Sequence, residues 1–134
     1  MVSHKLLHPQ EVEVYIILPA IRRELSLRMK NLGLDQKEIA RRIGVTGAAV
    51  SQYVNDKRGQ ADFEFPKSMS ADFDAAAKAI IDESSMRFHI QHLLKMVLDS
   101  QVTCQIHRKV SAEVPQDCLV CFENQAGPNA RLNA

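Results

Sequence analysis

The sequence predicts an all-α fold. Three observations lead there. Residues 10–31, 73–82 and 85–98 place apolar side chains at helical spacing. Two further helix starts are marked by side-chain oxygens, at Asp35 and Thr46, with Gly44 between them. No segment alternates as a strand should, and the strongest such pattern is the short stretch 101–106. The chain of 134 residues is 46% hydrophobic and 25% charged, enough apolar matter for one core and enough charge for solubility.

The first helix is expected over 10–31, with Val12, Ile16, Ile21, Leu25 and Leu32 marking its apolar period. Pro19 lacks a backbone donor and crowds the preceding turn, so it should kink this rod or start a second helix. Residues 14–18 are apolar on all sides, as a segment buried on two faces would be, and a dimer interface supplies the second face. Gly33 suits a left-handed C-cap. Asp35-Gln36-Lys37-Glu38 reads as a capping box opening a helix that ends near Ile43. Gly44 makes the turn, Thr46 caps the next helix, and that helix runs from Gly47 to about Asn55. Residues 60–70 are mixed and polar and read as a linker. Ser70 or Asp72 could cap the helix over 73–82. Another helix, over 85–98, carries Met86, Ile90, Leu93, Leu94 and Val97 on one stripe. From Ser100 onward no helical period is visible, so the tail is expected to be irregular. Three segments follow: 1–60, 61–99 as a dimerisation or accessory segment, and 100–134.

Charge is unevenly distributed. Residues 20–59 hold nine Lys/Arg against four Asp/Glu, and residues 60–100 hold four against seven. A locally basic segment in a near-neutral chain points to a polyanion face.

Two short helices joined by Gly44-Val45-Thr46 in basic surroundings have the outline of a helix-turn-helix. Ala40 is small where the helices cross, and Ile39, Ile43, Val45, Val50 and Tyr53 are apolar where they pack. The segment from Leu34 through Gly44-Val45-Thr46-Gly47-Ala48-Ala49-Val50-Ser51-Gln52-Tyr53 resembles the motif of lambda-repressor-like, XRE-type transcriptional regulators, over about residues 20–60. A narrower resemblance rests on Val14-Tyr15-Ile16-Ile17-Leu18-Pro19-Ala20-Ile21-Arg22-Arg23-Glu24-Leu25, on Ala48-Ala49-Val50-Ser51-Gln52-Tyr53, on Lys57-Arg58-Gly59 and on a cysteine-bearing tail. In these the chain is similar to an uncharacterised prokaryotic group of regulators. That group implies an extra Cys-x-x-Cys pair, where this chain offers His89 and His92.

The resemblance implies double-stranded DNA as partner. It places Gln36 on a backbone phosphate, and Thr46 with the Gly47 amide at a phosphate-favouring helix N-terminus. It turns Gly47, Ala48, Ser51 and Gln52 toward the major groove. Gln52 is the one long amide there, and a glutamine can pair bidentately with adenine. Asn55, Lys57 and Arg58 suit phosphates.

The tail carries a second signal. Cys104-Gln105-Ile106-His107 and Cys118-Leu119-Val120-Cys121 are two pairs of ligand type with two residues between the members of each. Four such donors can surround one tetrahedral ion, and thiolates suit either zinc or an iron–sulfur cluster. Three cysteines are a poor basis for a disulfide framework.

No nucleophile elbow, phosphate loop or His-Glu-x-x-His motif is present, so an enzyme is not expected. No apolar run is long enough to span a bilayer, and Met1-Val2-Ser3-His4-Lys5 does not open a secretion signal, so a cytoplasmic setting is expected. The expected function is sequence-specific DNA binding by a homodimeric regulator, metal- or redox-responsive through its cysteines. The alternative is an antitoxin or phage-type regulator whose tail holds a protein.

Overall fold

The computed structural model describes residues 8–55, 58–59, 63–82 and 85–123. Within them the regular structure is entirely helical. In chain order it comprises α1 (Pro9–Val12), a π-helical segment (Glu13–Ile17), α2 (Leu18–Asn31), α3 (Gln36–Ile43), α4 (Gly47–Asn55), a 3₁₀ turn (Lys67–Met69), α5 (Ser70–Ile81), α6 (Met86–Asp99), α7 (Val102–Val110) and α8 (Val120–Glu123).

The rod expected over 10–31 forms without a break. Pro19 sits in the first turn of α2, and the π segment lies directly before it. A wider turn there relieves the crowding that a proline ring imposes on the turn behind it. Gly33 and Gly44 adopt φ of 96° and 71°, the left-handed conformations expected of them. Asp35 accepts a hydrogen bond from the Glu38 amide at 2.8 Å. The return half of the capping box does not form. The Glu38 carboxylate is taken instead by Arg41 and Arg42, at 2.7 and 2.8 Å, because two guanidiniums outcompete one backbone amide.

α2 is the central strut, packed by α3, α4 and α5, with α6 against α5 and α7. One core runs from Val12 to Ile106 and joins all three expected segments. Ile21, Leu25 and Met29 of α2 are fully buried in it, beside Ile39, Val50, Phe73 and Leu93. Truncating a side chain such as Leu25 to alanine costs about 2–5 kcal/mol at such sites.

Three expectations are corrected. Residues 63–69 are not a loose linker: the Phe63 and Phe65 rings pack edge-on at 5.0 Å, and Phe65 lies 5.0 Å from Phe73 of α5. The α5 helix also starts at Ser70, out of a 3₁₀ turn and without a side-chain cap from Ser70 or Asp72. The tail is not irregular. Gln101 turns the chain with φ of 67°, and α7 follows over the stretch that looked most strand-like. Its buried face is Val102, Thr103, Cys104, Ile106 and His107, so polar residue types conceal a helical period.

Candidate nucleic-acid interface

Two caps and one turn position the two short helices. Thr46 Oγ1 accepts from the Ala49 amide at 3.0 Å and starts α4. Gly44 makes the turn, and a Cβ there would meet the Met86 side chain at 2.9 Å, so the turn is seated on α6. Ala49, Val50 and Tyr53 point into the core. Ala48, Gln52 and Asn55 are therefore exposed on the opposite side of α4, with Gly47 and Ser51 half-buried at its edges.

Gln36 stands between the helices. Its Nε2 donates to the Gly47 carbonyl at 2.8 Å and ties the start of α3 to the start of α4. The far end of α4 is fixed by Arg23, whose Nη1 donates to the Tyr53 carbonyl at 2.7 Å. Arg58 lies in the turn after α4. Its guanidinium stacks 5.2 Å from the Tyr53 ring centre and donates to Gln52 Oε1 at 2.7 Å. The side chains expected to contact base and phosphate are thus bonded to each other. Asn55 Nδ2 donates to Ser51 Oγ at 3.4 Å. Lys57 lies outside the described residues.

The basic residues of α3 have separate tasks. Arg41 is exposed beside Glu38. Arg42 is largely covered and donates to the Ile80 carbonyl of α5 at 3.4 Å, so it braces the bundle. Hydrogen bonds from Arg41, then Arg42, hold the Glu38 carboxyl down to about 2.

The helix-turn-helix family model matches residues 25–64, a stretch that begins in α2 and ends beyond the turn after α4. The chain carries a lambda-repressor-like helix-turn-helix. It is a DNA-binding transcriptional regulator, and the helix-turn-helix is a DNA-binding, non-enzymatic domain. No curated protein and no solved structure matches the chain. No helix among the described residues is long and apolar enough to cross a membrane.

On α7 and the chain after it the tail cysteines converge. Cys104, His107, Cys118 and Cys121 line one small cavity of about 10 Å³, together with Pro9 of α1 and Arg108 of α7. The Cys121 and Cys104 side chains are in hydrogen-bonding contact. Arg108 Nη2 donates to the Cys118 carbonyl at 2.9 Å and holds the loop before α8 against α7. Burial first, then the neighbouring Cys104 and Cys118, push the Cys121 thiol up. Burial likewise raises the nearby Glu13 carboxyl. Among the described residues, no three His, Cys, Asp or Glu side chains are disposed as ligands of one ion, so this is a gathering of donors and not a formed coordination sphere. All three cysteines are free of disulfides. His89 and His92 do not join them; both pack with Phe88, whose ring centre lies 5.2 and 6.3 Å from theirs.

The sequence pattern did not reveal Arg23, Arg108 or the Gln52–Arg58 pair. Each acts across a turn or between helices distant in the chain, where residue spacing carries no signal.

Proposed function

We propose that the protein binds a specific DNA site as a homodimer, with α4 in the major groove. The observation that carries this is the two-sidedness of α4. Val50 and Tyr53 lock one face into the core, and Ala48, Gln52 and Asn55 present the other. Gln52 reads a base edge, Ala48 meets a thymine methyl, and the capped start of α4 with Gln36 and Arg58 meets phosphates. The chain supplies one recognition helix, and two copies about 34 Å apart read a two-fold site. Val14 and Tyr15 of the π segment are more than half exposed, an apolar pair suited to a second copy of the chain. The cysteine-lined end is the input to which DNA binding responds. A cytoplasmic setting fits these roles. The alternative, a tail that holds a partner protein, draws on the exposed Leu119 and Val120.

Selection from random duplexes, followed by sedimentation of the free and bound protein, tests the reading. The expected outcome is a palindromic site bound by two chains, and a Val14→Asp variant that sediments as a monomer with weakened binding. A non-palindromic site bound by one chain would overturn the dimer. Failure to enrich any sequence would overturn specific reading.

A further inference from the structure

We propose that Cys104, His107, Cys118 and Cys121 bind a single zinc ion, which fastens the tail to α7. This rests on the cysteine-cluster reading but not on DNA recognition.

The donors come from two short pieces of chain. Cys104 and His107 are three residues apart on α7 and share one face of it. Cys118 ends a turn in which its amide donates to the Pro115 carbonyl at 3.2 Å, and Cys121 lies in the first turn of α8. Both pieces border the same cavity. Three sulfurs and one imidazole are a common structural zinc set, with four protein ligands and no open position.

Ligand type selects among metals. Three thiolates and one imidazole are a common zinc set, whereas clusters take thiolate ligands more readily than a lone imidazole. The cavity they border, about 10 Å³, is on the scale of a single small ligand.

Charge is also provided for. Binding ionises three thiols, which release three protons, and an imidazole ligand carries no charge of its own. The three thiolates and the divalent ion leave one net negative charge. Arg108 borders the cavity, and its buried Nε has no hydrogen-bond partner among the described residues. A zinc-bound thiolate is the acceptor that such a donor lacks.

The position gives the ion a task. α1 packs on α7, and Pro9 of α1 borders the cavity. Zinc would hold α8 and the loop before it on α7, beside the start of the first helix and directly before the segment bearing Val14 and Tyr15.

The test uses the full chain, reduced, incubated anaerobically with zinc chloride and then desalted. The expected result is about one zinc per chain, with no iron or sulfide, measured in the absence of DNA. His107→Ala and Cys118→Ser should each weaken retention against a chromogenic chelator by more than ~10-fold. Cobalt(II) in place of zinc reports the geometry independently of variant folding, and should give the absorption of a tetrahedral thiolate site. Chelation should remove hydrogen-exchange protection from residues 102–123 and leave α3 and α4 protected. Zinc far below one per chain, iron with sulfide instead, an octahedral cobalt spectrum, or full zinc retention in both variants would each overturn the proposal. Failure to bind DNA would leave it standing and would count only against the recognition reading.

Discussion

The pair Gln52 and Arg58 makes a quantitative prediction. A glutamine meets adenine with its oxygen as acceptor and its nitrogen as donor, so the amide must face the right way. Its oxygen has two lone pairs, and Arg58 fills one at 2.7 Å. The second remains for the base, and the amide is held in one orientation. On the proposed reading, Arg58 contributes a phosphate contact to any duplex and an oriented amide to the specific site. Gln52→Ala should cost ~1–3 kcal/mol on the selected site and almost nothing on random DNA. Arg58→Ala should weaken binding to both and reduce the salt slope by about one. On the selected site it should lose a further ~0.5–1 kcal/mol, the net worth of one exposed hydrogen bond. That extra loss should vanish once Gln52 is alanine. Anisotropy titrations of the four proteins, at several salt concentrations and on both duplexes, close the cycle. Coupling on the selected site with none on random DNA is the expected outcome. Additivity within ~0.3 kcal/mol on the selected site, or equal coupling on both duplexes, would refute the reasoning.

Three further outcomes are expected. Thr46→Ala removes the cap on α4 and should cost ~1 kcal/mol, a fall of roughly 3–5 °C in Tm by calorimetry. Gly33 and Gly59 both have positive φ, but a Cβ at Gly33 meets open space while one at Gly59 runs into the Pro19 carbonyl. Gly33→Ala should therefore cost ~1–2 kcal/mol, and Gly59→Ala clearly more; equal losses in urea melts would contradict this packing. Glu38 has a folded pKa of about 2, below its unfolded value of ~4.3, so its contribution to stability is present above that value and lost as pH falls toward 2. NMR titration of its carboxyl should show the low midpoint, moving upward as salt screens the two arginines.

The recognition region was legible because its signals are local. A cap oxygen lies three residues from the amide it serves, as at Asp35 and Thr46, and Gly44 takes the φ that its lack of Cβ allows. The helix α7 was hidden because its buried face includes Thr103 and His107, types that count as polar in a periodicity. Phe63 and Phe65 gave a visible hint, two aromatics in a polar stretch, but their dock on Phe73 is a tertiary fact. Spacing alone indicated that Cys104 with His107 and Cys118 with Cys121 form pairs. Their convergence depends on a turn at Pro115 and on Arg108 reaching the Cys118 carbonyl, which no local pattern encodes.

The π segment at Glu13–Ile17 absorbs a residue. Each α-helical residue turns the rod by about 100°, and a π turn takes up one residue more than an α turn. The surplus residue is therefore housed in the wide turn, and α1 keeps nearly the face toward α7 that an unbroken α-helix would give it. Deleting one residue from 13–17 should leave a longer regular helix, with the contacts of α2 intact and Pro9 still beside the cysteines. The segment works as slack in the rod: its length can change by one residue without changing which faces its two ends present.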